Sequence, residues 1–355
     1  NREVWASLQE LGIARGRAQQ AGLLPNPEID LGLRAPIDEN QPLQGDIGLE
    51  LKISEMLLVP AKQGVAQAEL SAEKLRVAGE VLEIAYRARV SFHEVQARQR
   101  QLELRTRALE SFQASYAVAV ELSSSGGLPP LDLAMQKAAV EAARITTAEA
   151  ELTLLDARER MNAALGLSGS ATQWTVVPLA DVPEKATLDT TASEKKAVAS
   201  SLELAEMAQR MDAAARKAGL ARTAGALPHL EGGLHGEHDG FGWEVGAHLT
   251  VGVPVFDRGQ GTEAAARAEV RVLRERYVAT ATGLRAAVRT ALNRVESAAG
   301  RARHYRDALI PARKKALTET VLQYNAMGVG VFRVLDVERE VTESAIAYTD
   351  TLLEY

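Results

Sequence analysis

The chain has 355 residues, a formal net charge of −6, 46% hydrophobic but only 4% aromatic residues, and no cysteine. Disulfides, thiol chemistry, cysteine-ligated metals and a lipidated cysteine within these residues are thereby excluded, and the interspersed charge offers nucleic acid no basic stripe. So many Ala and Leu residues with so few aromatics point to long packed helices rather than a set of globular cores.

Residues 1–22 read as a helix with Leu8, Leu11, Ala14 and Ala18 near one face, ended by Pro25 and Pro27. Ile29, Leu31 and Leu33 then alternate with Asp30, Gly32 and Arg34. After a polar loop over Pro36–Gly45, Ile47, Leu49, Leu51 and Ile53 alternate with Gly48, Glu50, Lys52 and Ser54. Period-two alternation is the strand signal. From about residue 61 to 123 the pattern is helical, through Leu75, Ala78, Leu82, Ala85 and Phe92. Roughly 60 residues of helix would extend about 90 Å. Ser123–Gly127 and Pro129–Pro130 break it. The returning helix, 131–165, carries Ala138, Ala142, Ile145, Ala148, Leu152 and Leu155 as its seam, and Gly166 suits a left-handed cap.

Residues 167–192 read as an irregular insert, with a short strand at Gln173–Val177 and Pro178 and Pro183 after it. Helix resumes near Ser193 and runs to about Ala224. Leu230, Gly232 and Leu234 next alternate with Glu231, Gly233 and His235. A loop over Gly236–Gly240 leads to Val245, Ala247, Leu249, Val251 and Val253, which alternate with Gly246, His248, Thr250 and Gly252. The second long helix has Val270, Leu273, Tyr277, Ala281, Leu284 and Val288 in its seam. Pro311 should kink or divide it, and Gly328-Val329-Gly330 turns the chain. The polar start at Asn1 and the helical end at Tyr355 lead to the expectation of further segments, one upstream, in the natural chain.

The two halves repeat one pattern about 200 residues apart: two alternating runs, then a long helical hairpin broken by Gly and Pro. No apolar run approaches the ~18 residues of a membrane-spanning helix, so any membrane crossing must be made by strands. In a bilayer the alternation would turn Ile47, Leu49, Leu51, Ile53, Val245, Ala247, Leu249 and Val251 to lipid. It would turn Glu50, Lys52 and His248, with Thr250, to a watery lumen. Four strands do not close a barrel and lipid tolerates no open sheet edge, so closure must come from other copies; three protomers would supply twelve strands. A ring of helices continuing that barrel needs small apolar residues on both flanks of each helix, which the abundant Ala provides.

In order and spacing, these features resemble the TolC family of outer-membrane efflux proteins over almost the whole chain. Ala21–Glu28 looks like the entry to the first strand pair and Val251–Gly259 like the exit from the second. Ile310-Pro311-Ala312, Tyr324, Gly328 and Val334-Leu335-Asp336 look like the approach to the second helical tip. Ser200–Leu204 departs from the family, whose members often carry Arg-Pro-Asp-Leu there. The resemblance implies a mainly α fold with a β-barrel part: a homotrimer whose outer-membrane barrel uses residues 26–54 and 228–256. Its periplasmic helical barrel would use 1–25, 55–166, 193–227 and 257–355, with 167–192 as an equatorial insert. It implies a passive exit duct, not an enzyme, working with a periplasmic adaptor and an inner-membrane RND-type pump. The entry segment looks most like the heavy-metal resistance branch. The rival reading, a periplasmic adaptor or scaffold, expects one hairpin flanked by β-rich domains, whereas this chain shows two hairpins and paired strand units.

The resemblance also assigns residues. Gly127, Leu128 and Pro129 with Gly328, Val329, Gly330 and Val331 are the expected adaptor-docking tips, although plain turn chemistry alone explains Gly and Pro there. Superposing the repeats on Gly127 and Gly328 puts Asp132 opposite Arg333. These two, with Asp336 and Tyr324, are the expected gate. His235, Glu237, His238 and Asp239 have metal-ligand chemistry, but they read as polar residues of an external loop; His235 and His238 are kept only as weak metal candidates. Lone His93 and His304 read as surface or packing residues. There is no Gly-rich phosphate loop and no nucleophile with a His partner, and no cofactor is expected.

Overall fold

The computed structural model describes residues 1–35, 43–183, 189–238 and 242–355. Most of the first predicted loop (36–42) and Asp239 and Gly240 of the second lie outside the described residues. In chain order the elements are α1 (Arg2–Ala21), β1 (Glu28–Arg34), β2 (Gln44–Leu51), α2 (Ile53–Ser124) and α3 (Pro130–Leu165). They continue with α4 (Thr190–Ser200), α5 (Leu202–Ala226), β3 (His229–His238), β4 (Trp243–Gly252), α6 (Gln260–His304), α7 (Ile310–Asn325) and α8 (Val331–Glu354). The repeat read from the sequence is therefore present: each strand pair leads into a long helix and its return.

Four expectations are corrected. Helix α2 begins at Ile53, so Ile53 and Ser54 belong to a helix rather than to a strand, and Pro60 lies within its early turns. β3 runs through His235, Glu237 and His238, which were expected in a loop. The expected strand at Gln173–Val177 is irregular backbone, because helix side chains take its carbonyls: Arg158 donates to Trp174 O at 2.9 Å and Gln96 to Val177 O at 2.8 Å. The expected continuous helix from Ser193 divides at Ser201, whose hydroxyl accepts from Leu204 N at 3.2 Å and caps α5. Pro311 divides its segment as anticipated. α6 ends at His304, a π-helical turn spans Tyr305–Leu309, and α7 takes Pro311 into its first turn.

The chain forms two compact units. The sheet-bearing unit comprises Glu3–Val81 and Val198–Leu284. Its four strands are ordered β1-β2-β3-β4, all antiparallel. Between its helices, Arg76 of α2 binds Glu10 of α1 and bridges Glu73 and Glu80 on its own helix. These hydrogen bonds hold the Glu73 carboxyl below the usual carboxylate range. Where the chain leaves β4, backbone meets backbone: a Cβ on Gly225 would lie 1.9 Å from Arg258 O.

The tip-bearing unit comprises Asn1–Arg2, Leu82–Ala197 and Arg285–Tyr355. Its interior is built largely from small side chains; Ala97, Ala157, Ala298 and Ala302 are fully buried, which lets helices approach closely. Arg105 of α2 pairs with Glu343 of α8 at 2.6 Å, and Gln101 donates to Asp350 at 2.7 Å. α7 is joined to α8 by Arg313–Glu340. Gly166 caps α3 with φ 70°, as its place in the sequence indicates.

Candidate functional site: sheet faces, tips and strap

Cross-strand register sorts the sheet into two chemically opposite faces. Ile29 lies opposite Leu49, Leu31 opposite Ile47, Leu49 opposite Leu234, Leu234 opposite Ala247, and Leu230 opposite Val251. Directly paired residues share a face, so these aliphatic side chains form one continuous surface. Among the described residues nothing covers it: Leu31 is 76% exposed, Val245 79% and Leu249 63%. Trp243 stacks edge-on against His238 at the end of this face.

The opposite face carries Glu28, Asp30, Arg34, Asp46, Glu50, Glu231, Glu237, Glu244, His235 and His248. Their register partners include Gly32, Gly48, Gly233 and Gly246. One of those glycines is sterically required: a Cβ on Gly233 would sit 2.8 Å from the Leu49 backbone oxygen and 2.5 Å from the His248 ring, whereas one on Gly32 would meet only the Asp46 carboxylate, which can swing away. Ion pairs cross the strands, Arg34 lying 3.5 Å from Asp46 and 3.8 Å from Glu237, and the His248 ring lies 4.0 Å from Glu50. Lys52, just past β2, pairs with Glu28. The expected lumen set Glu50, Lys52 and His248 thus shares this face. His235 and His238 do not share one. They are three residues apart in a strand, so alternation sends them to opposite faces, and the structure does not bring the weak metal candidates together. Among the described residues no three His, Cys, Asp or Glu side chains form a metal-holding group.

The two helical tips have the same hydrogen-bond pattern. Gly126 N donates to Ser123 O and Gly127 N to Leu122 O; Met327 N donates to Tyr324 O and Gly328 N to Gln323 O. This double bond demands a left-handed residue after the helix. The first repeat supplies Gly126 at φ 77°, whereas the second supplies Met327 at φ 57°, 94% exposed. Sequence reading missed Met327, because the demand comes from the fold of the tip. Leu128–Pro129 and Val329–Val331 complete the two turns. Asp132 stands in the first turn of α3, Arg333 in that of α8, and Tyr324 at the end of α7. Asp132 and Arg333 form no ion pair with each other among the described residues. Asp336 pairs within its own helix, with Arg339 at 3.3 Å.

The insert is a strap tied to both helical hairpins. Arg158 of α3 stacks 4.0 Å from the Trp174 ring, and Trp174 Nε1 donates to the buried Asn162 at 2.8 Å. Gln96 of α2, only 5% exposed, fixes Val177 and Pro178. Val182 then packs with Ala302, Tyr348 and Leu352, and Asp181 accepts from the Tyr348 hydroxyl. Burial first, then that hydrogen bond, raises the Tyr348 pKa. Arg306, in the π-helical turn, reaches Asp181 at 3.6 Å and Asp307 at 2.7 Å.

Solved structures match this fold over essentially the whole chain. The Vibrio cholerae outer membrane protein VceC superposes with a TM-score of 0.80 at 14% identity, covering 98% of this chain and 88% of that one. The Campylobacter jejuni CmeC outer membrane channel gives 0.79 at 13% identity, covering 100% and 80%. CusC, described for the conformational changes that accompany its folding and transmembrane channel formation, gives 0.73 at 16%, covering 99% and 86%. No family model and no curated protein matches the sequence. At these identities the likeness establishes the fold, and that fold is one used by outer-membrane channels.

Proposed function

We propose that the chain belongs to the TolC family and is one protomer of a homotrimeric outer-membrane exit duct in a tripartite efflux system. The observation that carries this reading is the sheet: among the described residues its aliphatic face is uncovered, its opposite face is charged, and the outer edges of β1 and β4 are unpaired. A soluble protein does not leave so large an apolar surface and two open edges unprotected. Three copies, pairing β4 of one with β1 of the next, close a twelve-stranded wall with lipid outside and water inside. The likeness to channel structures along the whole chain supports the same arrangement.

In this reading the helices form a periplasmic tunnel and the tips, Gly127–Pro129 and Gly328–Val331, dock on a periplasmic adaptor joined to an inner-membrane RND-type pump. Asp132, Arg333, Asp336 and Tyr324 line the constriction behind the tips. The protein is a conduit, not an enzyme, and the pump supplies the energy. Metal cations are the proposed cargo, favoured by the acidic polar face of the sheet; the likeness to CusC is of fold alone. Mass measurement in detergent and single-channel recording test the proposal together. A trimeric mass and discrete conductance steps are expected; a monodisperse monomer in buffer without any amphiphile refutes it.

A further inference from the structure

Three histidines of the polar sheet face each stand beside a carboxylate. His229 Nε2 lies 2.9 Å from Glu231, His248 Nε2 4.0 Å from Glu50, and His235 Nε2 3.7 Å from Glu237. In the first and third pairs the partners are two residues apart on β3, so alternation keeps both on one face. The middle pair comes from β4 and β2 and meets over Gly233, which is in register with both His248 and Glu50. A Cβ on Gly233 would strike the His248 ring, so the missing side chain is what makes room for this pair. The pairs therefore form a ladder along β3, centred near Leu230, Gly233 and Gly236, with rungs roughly 10 Å apart at the rise of a strand. The three imidazoles are between 46% and 58% exposed, open to the aqueous side of the sheet. The fixed cations of this face are engaged elsewhere: Lys52 with Glu28, and Arg34 with Asp46 and the other oxygen of Glu237. Among the described residues Glu50 and Glu231 form no ion pair with Lys or Arg.

An imidazole nitrogen beside a carboxylate oxygen suits zinc, copper, nickel or cobalt, whereas magnesium and calcium favour oxygen alone. A zinc ion binds such nitrogen and oxygen donors at about 2.1 Å each, so two donors it shares stand at most roughly 4.2 Å apart. All three pairs fall inside that limit as they stand. We propose that they are successive resting places for a divalent transition-metal ion passing along the aqueous side of the sheet. Each rung supplies two donors and water the rest; among the described residues no rung gathers three such side chains. Structural zinc sites use four protein ligands, so two make a weak site. Weak and repeated binding is what conduction needs, strong enough to draw the ion in and loose enough to let it go. This deepens the duct reading, on which it rests, by naming the class of ion and the atoms it meets.

Equilibrium dialysis of the detergent-solubilised full chain against zinc alone counts the ions bound. The variant His229→Gln, His235→Gln, His248→Gln is expected to bind three fewer zinc ions per protomer than its parent, one for each pair lost. Its half-saturating zinc concentration should rise about tenfold or more, because a direct donor has gone. His304→Gln, which alters an exposed histidine at the end of α6, is expected to leave the count unchanged. In bilayers, zinc is expected to reduce the potassium current of the parent at concentrations about tenfold below those needed for the triple variant, while magnesium affects the two alike. Equal zinc counts in parent and triple variant overturn the ladder, as does an equal loss in His304→Gln or a matching shift for magnesium. Should the triple variant fail to assemble, His229→Gln and His235→Gln singly, both on exposed side chains, decide by losing one ion each or none. A parent that never conducts defeats the duct reading, while dialysis still judges the ladder.

Discussion

Gly225 shows how one missing side chain holds a junction together. Its Cβ would fall on a backbone oxygen rather than on a flexible side chain, so Gly225→Ala must push α5 away from Arg258. A loss of about 1–3 kcal/mol is expected, read as a lower Tm. Met327 is the opposite case. A left-handed non-glycine residue costs roughly 1–2 kcal/mol, and glycine returns about 0.5–1 of that as lost chain entropy. Met327→Gly should therefore leave Tm unchanged or raise it, while Gly126→Ala lowers it, although the two positions make the same hydrogen bonds. Glu73 gives a pH-dependent counterpart. Arg76 lowers its pKa in the folded chain, so the unfolded chain binds that proton more tightly. The stabilisation is present above about pH 4.5 and is lost as pH falls through the lowered value. Glu73→Gln should remove this part of the acid sensitivity, seen as a shallower fall of Tm on acidification. Gly166 was legible in the sequence because a glycine after an apolar seam has few other uses. The Gly225 approach and the Met327 conformation were not, since both are imposed by atoms distant in the chain or by the closed shape of the turn.

Strands and helices were mostly readable from period. Alternation located all four strands, and cross-strand register then confirmed which side chains share a face. It failed where local pattern and tertiary partner disagreed. Ile53 continues the alternation but starts a helix. Val176 and Val177 look like a strand, yet Gln96 and Arg158 claim the neighbouring carbonyls that a sheet would need. The two faces make unequal demands on substitution. Leu49→Arg places a charge mid-strand on the aliphatic side, where about 2–4 kcal/mol is expected for a lipid-facing site. Thr250→Arg, on the charged side, should cost far less. Folding titrations into vesicles compare the two; equal costs would contradict the assignment of faces.

At the scale of the assembly, charge at the proposed constriction and closure of the sheet make separate statements. Asp132→Ala with Asp336→Ala should raise the conductance of the resting channel, because it removes two carboxylates per protomer from the narrowest part; a double variant no more open than its parent argues against a gate there. The repeat in the sequence indicated two hairpins per chain. It did not indicate the strap's ties, since Gln96, Asp181, Arg306 and Tyr348 are far apart in sequence and none belongs to a motif. The alternating pattern also constrains how this molecule can be lengthened. Adding a single amino acid between Gly233 and Leu234 would turn everything downstream in that strand inside out, presenting carboxylates to oil and leucine to brine. Adding a pair would merely make the wall taller. Length changes in these segments should therefore be tolerated in even steps and rejected in odd ones, a parity rule that a small insertion library can score by survival alone.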